Sequence, residues 1–201
     1  MLLSTYRRQR HFFNEQALNW HFPDSDRQKI TKILESVNLP PDGIILDAGC
    51  GTGNLFPVVK AIVPIVTIIA CDMASQMLNE SRRRNPGLQI PLWVGFCEEL
   101  PLKNESVDLA LNYCIFPHIK DKDKALSELR RVLKPGGRYL IIHPNGRSAT
   151  NYRHRQIGMP IANDLLPPTA EIKNRLQNHK FSVRQLIDRD DLFLIEAGKS
   201  N

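Results

Sequence analysis

The chain has 201 residues, 42% of them apolar and 24% charged, and a formal net charge of +6. These fractions are ordinary for a globular protein and exclude a disordered or fibrous chain, and the length suits one domain or one domain with a small appendage. No apolar run approaches the roughly eighteen residues of a membrane span; the longest, Ala61 to Cys71, is broken by Pro64 and Thr67, so no span is expected.

Met1-Leu2-Leu3 gives way at once to Tyr6, Arg7, Arg8, Arg10 and His11, with no apolar segment ahead of a cleavage site, so a cytoplasmic protein is expected. HFFNEQALNWHF (His11–Phe22) reads as an aromatic helix able to close over a ligand, and residues 1–24 are taken as an N-terminal helical cap on a domain of residues 25–201. Asp26 to Val37 is a helix; GIILDAG is an apolar run ending in an acid; a helix begins near Asn54. TIIACD is a second strand, Ser75 to Arg84 a helix, and IPLWVG and SVDLALNY are the third and fourth strands. Asp121 to Leu133 carries an apolar stripe at helical spacing, acids in its first turn, and Arg130, Arg131 and Lys134 at its end; Pro135, Gly136 and Gly137 stop it. GRYLIIHP is a fifth strand, Thr169 to Gln177 a helix, and FSVRQLID with DLFLIEAG a hairpin turning at Arg189 and Asp190.

Five strands alternating with helices imply parallel neighbours joined by right-handed crossovers, with one antiparallel strand in the closing hairpin. The predicted fold is α/β, a doubly wound, mostly parallel sheet with helices on both faces, which binds ligands outside the carboxyl ends of its strands.

The stretch ILDAGCGTG lies at the end of the first strand. Gly49, Gly51 and Gly53 allow a sharp turn and a close approach of backbone to ligand. The dinucleotide fingerprint GxGxxG is not met, and no GK[ST] follows, which excludes a triphosphate loop. Asp47 at the mouth would repel a pyrophosphate and welcome an ammonium group, while Asp72, ending the second strand, is placed to accept from ribose hydroxyls. A ligand with an amino group at one end and a ribose beyond it is S-adenosylmethionine.

DAGCGTG with Asp72, GFCEELPLKNESVDLALNY and LRRVLKPGGRYLII resemble the class I S-adenosylmethionine-dependent methyltransferases, in particular the small branch similar to ubiquinone/menaquinone methyltransferases, over about Gln28 to Ile142. The resemblance implies a seven-stranded sheet with the last strand antiparallel, Asp47 near the methionine amino group, Gly49 and Gly51 against the cofactor backbone, Asp72 on the ribose and Met73 against adenine. It further implies methyl transfer by in-line displacement, with S-adenosylhomocysteine as product. Where many relatives carry an acid that binds the adenine amino group, this chain has Phe96; backbone near Cys97 and Glu98 is expected to hold adenine instead.

Residues after the fourth and fifth strands face the methyl group in such an architecture. Asn112 is assigned to the cofactor, and Tyr113, Arg147 and Asn163 to the acceptor. His118 and His143 are the candidate bases, because imidazole titrates near working pH. The connection 145–168 is read as a long substrate loop carrying Arg147, Arg153, His154, Arg155, Asn163 and Asp164, and arginine forks make an anionic small molecule one inference. Cys50, Cys71, Cys97 and Cys114 form no CxxC pair and read as small residues near the cofactor, so neither a metal site nor a disulfide is expected. The basic balance leaves a nucleic-acid methyltransferase as an alternative, disfavoured by Asn112-Tyr113-Cys114-Ile115, which lacks the NPPY pattern, and a non-catalytic cofactor-binding module as another.

Overall fold

The chain, described over residues 6–200 in a computed structural model, folds around one seven-stranded sheet of order β3-β2-β1-β4-β5-β7-β6. Helix α1 (Arg7–Gln16) and a 3-10 turn (Ala17–Asn19) precede α2 (Asp24–Ser36). Then come β1 (Ile44–Ala48), α3 (Leu55–Ile62), β2 (Thr67–Asp72), α4 (Ser75–Arg84), β3 (Leu92–Val94) and β4 (Val107–Tyr113). A 3-10 turn at Phe116–His118 leads into α5 (Lys122–Val132), β5 (Leu133–His143), α6 (Arg147–Ile157), α7 (Thr169–Asn178), β6 (Phe181–Arg189) and β7 (Leu192–Lys199). Strands β1 to β5 pair in parallel and β7 runs antiparallel between β5 and β6, as expected.

Alternation along the strands divides the core into two layers. Ile45, Leu109, Leu111, Leu140 and Ile142 face α2 and α3, packing on Ile30, Leu34, Phe56 and Val59. Leu46, Ala110, Tyr139 and Ile141 face α5 and α7, packing on Leu126, Leu129, Ile172 and Leu176. Strands β1, β4 and β5 are therefore apolar on both faces through their middles, with a polar cluster of Asp108, Lys134 and Arg138 near the starts of β4 and β5 and the site residues at the carboxyl ends. The strand order reverses between β1 and β4, which opens a crevice there.

Asp121 caps α5, its carboxylate accepting from Lys124 N–H at 2.9 Å. Pro135, Gly136 and Gly137 follow the end of that helix but lie inside β5, which begins at Leu133; they form an irregular stretch between the Val107–Leu133 and Leu109–Arg138 pairs. The hairpin turns at Asp190 and Asp191, one residue later than expected. The connection 145–168 is not an irregular loop, because α6 fills its first half. The buried face of α6 is Thr150, Asn151 and His154, too polar to produce an apolar stripe in the sequence. Among the described residues no helix is long and apolar enough to cross a membrane.

Beneath the crevice, Asn112 ties three strands together. Its amide donates to Ala48 C=O at 2.6 Å, and its carbonyl accepts from the Tyr139 hydroxyl, with all three residues fully buried or nearly so. Asn112→Ala strands these partners, and since one stranded buried group costs about 1–3 kcal/mol, urea unfolding should show a loss of roughly 2–4 kcal/mol. A loss below about 0.5 kcal/mol, the range of ordinary surface changes, would remove Asn112 from this role.

Candidate functional site

At the end of β1 the chain turns back over β2. Gly49 and Cys50 N–H both donate to Cys71 C=O, at 2.8 and 3.0 Å, which fixes the loop on the neighbouring strand. Gly49 has φ +90° and an added Cβ would lie 2.2 Å from Ile115, so only glycine fits there. Gly51, φ +53°, has open space where a Cβ would sit, so that side of the turn is open to a ligand.

The two aspartates differ. Asp72 is held by the loop it supports, one oxygen accepting from Gly51 N–H and the other from Ala74 N–H, each at 2.9 Å. Burial outweighs these bonds and pushes its carboxyl up to about 6. Four lone-pair positions on a carboxylate leave capacity for further donors. Asp47 is 2% exposed and neither of its oxygens has a partner. Burial, with the Asp72 charge second, pushes its carboxyl up to about 8. An orphaned buried acid at the head of a glycine turn has unused capacity for a hydrogen-bond donor or a cation.

Both acids open onto a cavity of about 650 Å³ that runs over the ends of β1, β2 and β4. The volume lies within the range that buries a small organic ligand, about 300–1,000 Å³. Met73, Phe96, Cys97 and Glu98 line one end. Phe96 stacks near Tyr6 (centroids 4.9 Å), whose hydroxyl donates to Glu98. The Glu98 side chain is thus already engaged, while its backbone remains at the wall. Phe12, Phe13, Trp20 and Phe22 from the N-terminal segment also line the cavity.

Three histidines meet at the other end. His118 Nδ1 lies 2.9 Å from Asp164 Oδ2, its ring stacks on His154 (centroids 4.9 Å), and Phe13 meets it edge-on. Asp164 also accepts from Lys120 Nζ at 2.7 Å and from Gln9. Burial raises the Asp164 carboxyl, but the hydrogen bonds from His118 and Lys120 outweigh it and hold the group below its usual range. Burial lowers the His118 ring, with the hydrogen bond to Asp164 opposing it. His143, at the end of β5, is pushed down to about 3 by burial, and its Nε2 has no partner.

Asp47, Gly49, Gly51, Asp72, Met73, Cys97, Glu98, Tyr113, His118 and His143 thus converge on one cavity. Four expected site residues do not line it. Gly53 is needed for packing, since a Cβ there would meet Ser81 and Phe56, and it borders a depression on the far side of the loop. Asn112 is sealed below the floor by the bonds already described. Arg147 turns outward to Asp188, Nε to Oδ2 3.6 Å, drawn by the β6 acid beside the start of α6. Asn163 is exposed, its neighbour Asp164 pointing inward in its place. Arg153 lines the cavity where Arg147 does not. The inward acid Asp164 has no sequence signal, because its partners lie 44, 46 and 155 residues away. The four thiols are free, and burial pushes Cys97 and Cys114 up to about 12, which keeps them protonated.

A Rossmann-like sheet with an acid at the end of each of its first two strands defines a nucleoside-cofactor class of protein. Residues 46–141 match the family described as Methyltransferase domain. The chain is 42% identical over 100 residues to a malonyl-(acyl-carrier protein) O-methyltransferase of Methylococcus capsulatus, covering 49% of this chain and 36% of that protein. It is 34% identical over 122 residues to a ubiquinone/menaquinone biosynthesis C-methyltransferase of Syntrophotalea carbinolica, covering 58% of this chain and 50% of that protein. The matched stretch therefore spans half or less of these relatives' length. The fold is shared with geranyl diphosphate C-methyltransferase of Streptomyces coelicolor, crystallised with S-adenosyl-L-homocysteine, at a TM-score of 0.71 and 16% identity over 88% of this chain and 80% of that one.

The raised Asp47 carboxyl has a cost in the ligand-free protein. Its folded pKa lies near 8 against an unfolded value near 3.8, so the stability it allows is complete below pH 4 and is lost as pH rises toward 8. Asp47→Asn should therefore be more stable than the wild type at pH 8 to 9 and indistinguishable near pH 4, with a shallower fall remaining from Asp72, whose shift has the same sign. Urea midpoints across this range read the effect; parallel profiles for the two proteins would contradict it.

Proposed function

We propose that this chain binds S-adenosylmethionine in the cavity over β1, β2 and β4 and transfers its methyl group to a small molecule by in-line displacement. The observation that carries the reading is Asp47, a buried acid with both oxygens free and fixed in the sheet, beside a glycine backbone open to ligand. That pair fits the α-ammonium and carboxylate end of an amino acid. Asp72 would take the ribose hydroxyls, and Met73 with Phe96 would sandwich adenine, its edge meeting backbone at Cys97 and Glu98. When bound, the cofactor supplies a methyl group already activated as a sulfonium.

The chain's own part is then alignment and exclusion of water. The described part of the cap, residues 6–24, closes the cavity from above through Phe13, Trp20 and Phe22. The segment 145–168 forms the acceptor wall through Arg153, His154, Ile157 and Ile161, with Tyr113 opposite. Arg153 is the cation left to meet an acidic group on the acceptor, since Arg147 is engaged elsewhere. The relatives' printed names span oxygen and carbon acceptors, which supports the reaction class and leaves the acceptor to experiment.

The test incubates the purified chain with methyl-labelled S-adenosylmethionine and a cell extract, with and without nuclease. Label should enter a small metabolite and survive nuclease. Asp72→Ala should weaken cofactor binding by roughly 1.5–3 kcal/mol, the worth of hydrogen bonds to a charged group, and reduce labelling accordingly. Label lost with nuclease would contradict the small-molecule acceptor, and an unchanged affinity in Asp72→Ala would contradict the ribose assignment.

A further inference from the structure

Two histidines face the acceptor end of the cavity, and the geometry distinguishes them. His143 has Phe193 at its ring edge (centroids 5.9 Å) and no carboxylate partner, so nothing would stabilise an imidazolium there. His118 has Asp164 at 2.9 Å from Nδ1. The carboxylate is itself 4% exposed and fixed by Lys120 and Gln9, so it cannot rotate away. An ionised carboxylate only accepts, so the bond requires the proton on Nδ1 and leaves the lone pair on Nε2. The charged and titratable groups around the ring are Asp164, Lys120, His154 and His143, and Asp164 alone among them favours a proton's arrival.

We propose that His118 is the general base of the methyl transfer, that Asp164 positions it, and that the acceptor is a neutral O–H, N–H or C–H acid. This rests on the function proposed above. In the step, the acceptor's proton passes to His118 Nε2 while the electron pair it leaves forms the bond to the methyl carbon; the pair of the broken carbon–sulfur bond stays on sulfur. Asp164 holds the resulting imidazolium until its proton returns to solvent. A reacting atom already anionic at neutral pH needs no such base, so the His118–Asp164 pair points to a protonated reacting atom, while an acidic group elsewhere on the acceptor can still meet Arg153. Asp164 stays a positioning residue, because it touches His118 and not the reacting atoms.

The test first reads the His118 ring by nitrogen NMR in the purified chain with S-adenosylhomocysteine bound. The proton should sit on Nδ1 in the wild type and move to Nε2 in Asp164→Asn. Labelling of small molecules from methyl-labelled S-adenosylmethionine in a cell extract should fall about 10²–10⁴-fold in His118→Gln, the worth of a general base. In Asp164→Asn it should fall at least about tenfold, with S-adenosylhomocysteine affinity kept within about twofold in both variants. Raising the pH should shrink the His118→Gln defect by up to about tenfold per unit, as solution base replaces the missing one; a purely structural role would leave the defect flat. A wild-type His118 carrying its proton on Nε2, or wild-type labelling by His118→Gln, overturns the proposal, and the wild-type NMR result holds even where a variant fails to fold. Failure of the wild type to bind S-adenosylhomocysteine would instead remove the cofactor reading, and this inference with it.

Discussion

The arrangement depends on a carboxylate that folding leaves without a partner. Asp47 sits in β1 between β2 and β4, in register with Ala70 and Leu111, so its backbone is bonded on both sides and its side chain cannot withdraw. Burying a charge without compensation is expensive, and the group responds by holding its proton. Every neighbouring feature suits the arrival of a cation. Gly49 clears Ile115 so that the turn can form, Gly51 leaves its own side open, and Asp72 spends one oxygen on each flank of the loop.

Around that point the chain builds an enclosure whose parts are cross-linked. Arg84 reaches from α4 to Trp20 C=O at 2.8 Å, fastening the aromatic segment to the helix after β2. Asp164 joins α1 through Gln9 to the turn at His118 and to Lys120. Asn151 on α6 exchanges two bonds with the Leu166 backbone, at 3.0 and 2.7 Å, which closes the 145–168 segment on itself. Apolar packing of Phe13 and Ala17 on Ala74 and Met77 accompanies these polar ties. The same network fixes His118 and leaves His143 with a neutral ring against Phe193.

The parts of this structure that were legible from the sequence are those where one local rule decides. Apolar runs ending in Asp47 and Asp72 announce buried parallel strands with polar ends, and the glycines between them announce a backbone that approaches a ligand. The alternation of such runs with amphipathic helices leaves little choice of topology. Helix α6 was hidden because its buried face is Thr150, Asn151 and His154, so no apolar period marks it. Which of the adjacent Asn163 and Asp164 points inward is set by Gln9, His118 and Lys120, none of them close in sequence, so the sequence does not single out Asp164. Arg147 misled for the same reason: its fork suits an acceptor, but Asp188 on a distant strand claims it. Sequence periodicity reports the layers; the site's second layer is made of long-range pairs that periodicity does not encode.

The proposed role of Asp47 as the cation socket is tested most directly by its titration. Carbon NMR of the Asp47 carboxyl, followed with pH in the free protein and with S-adenosylhomocysteine bound, should show a midpoint near 8 in the free state. With ligand bound the carboxyl should stay ionised well below that pH, because the ammonium replaces the missing partner. An ordinary carboxylate midpoint in the free protein, or one that ligand leaves unmoved, would contradict the account.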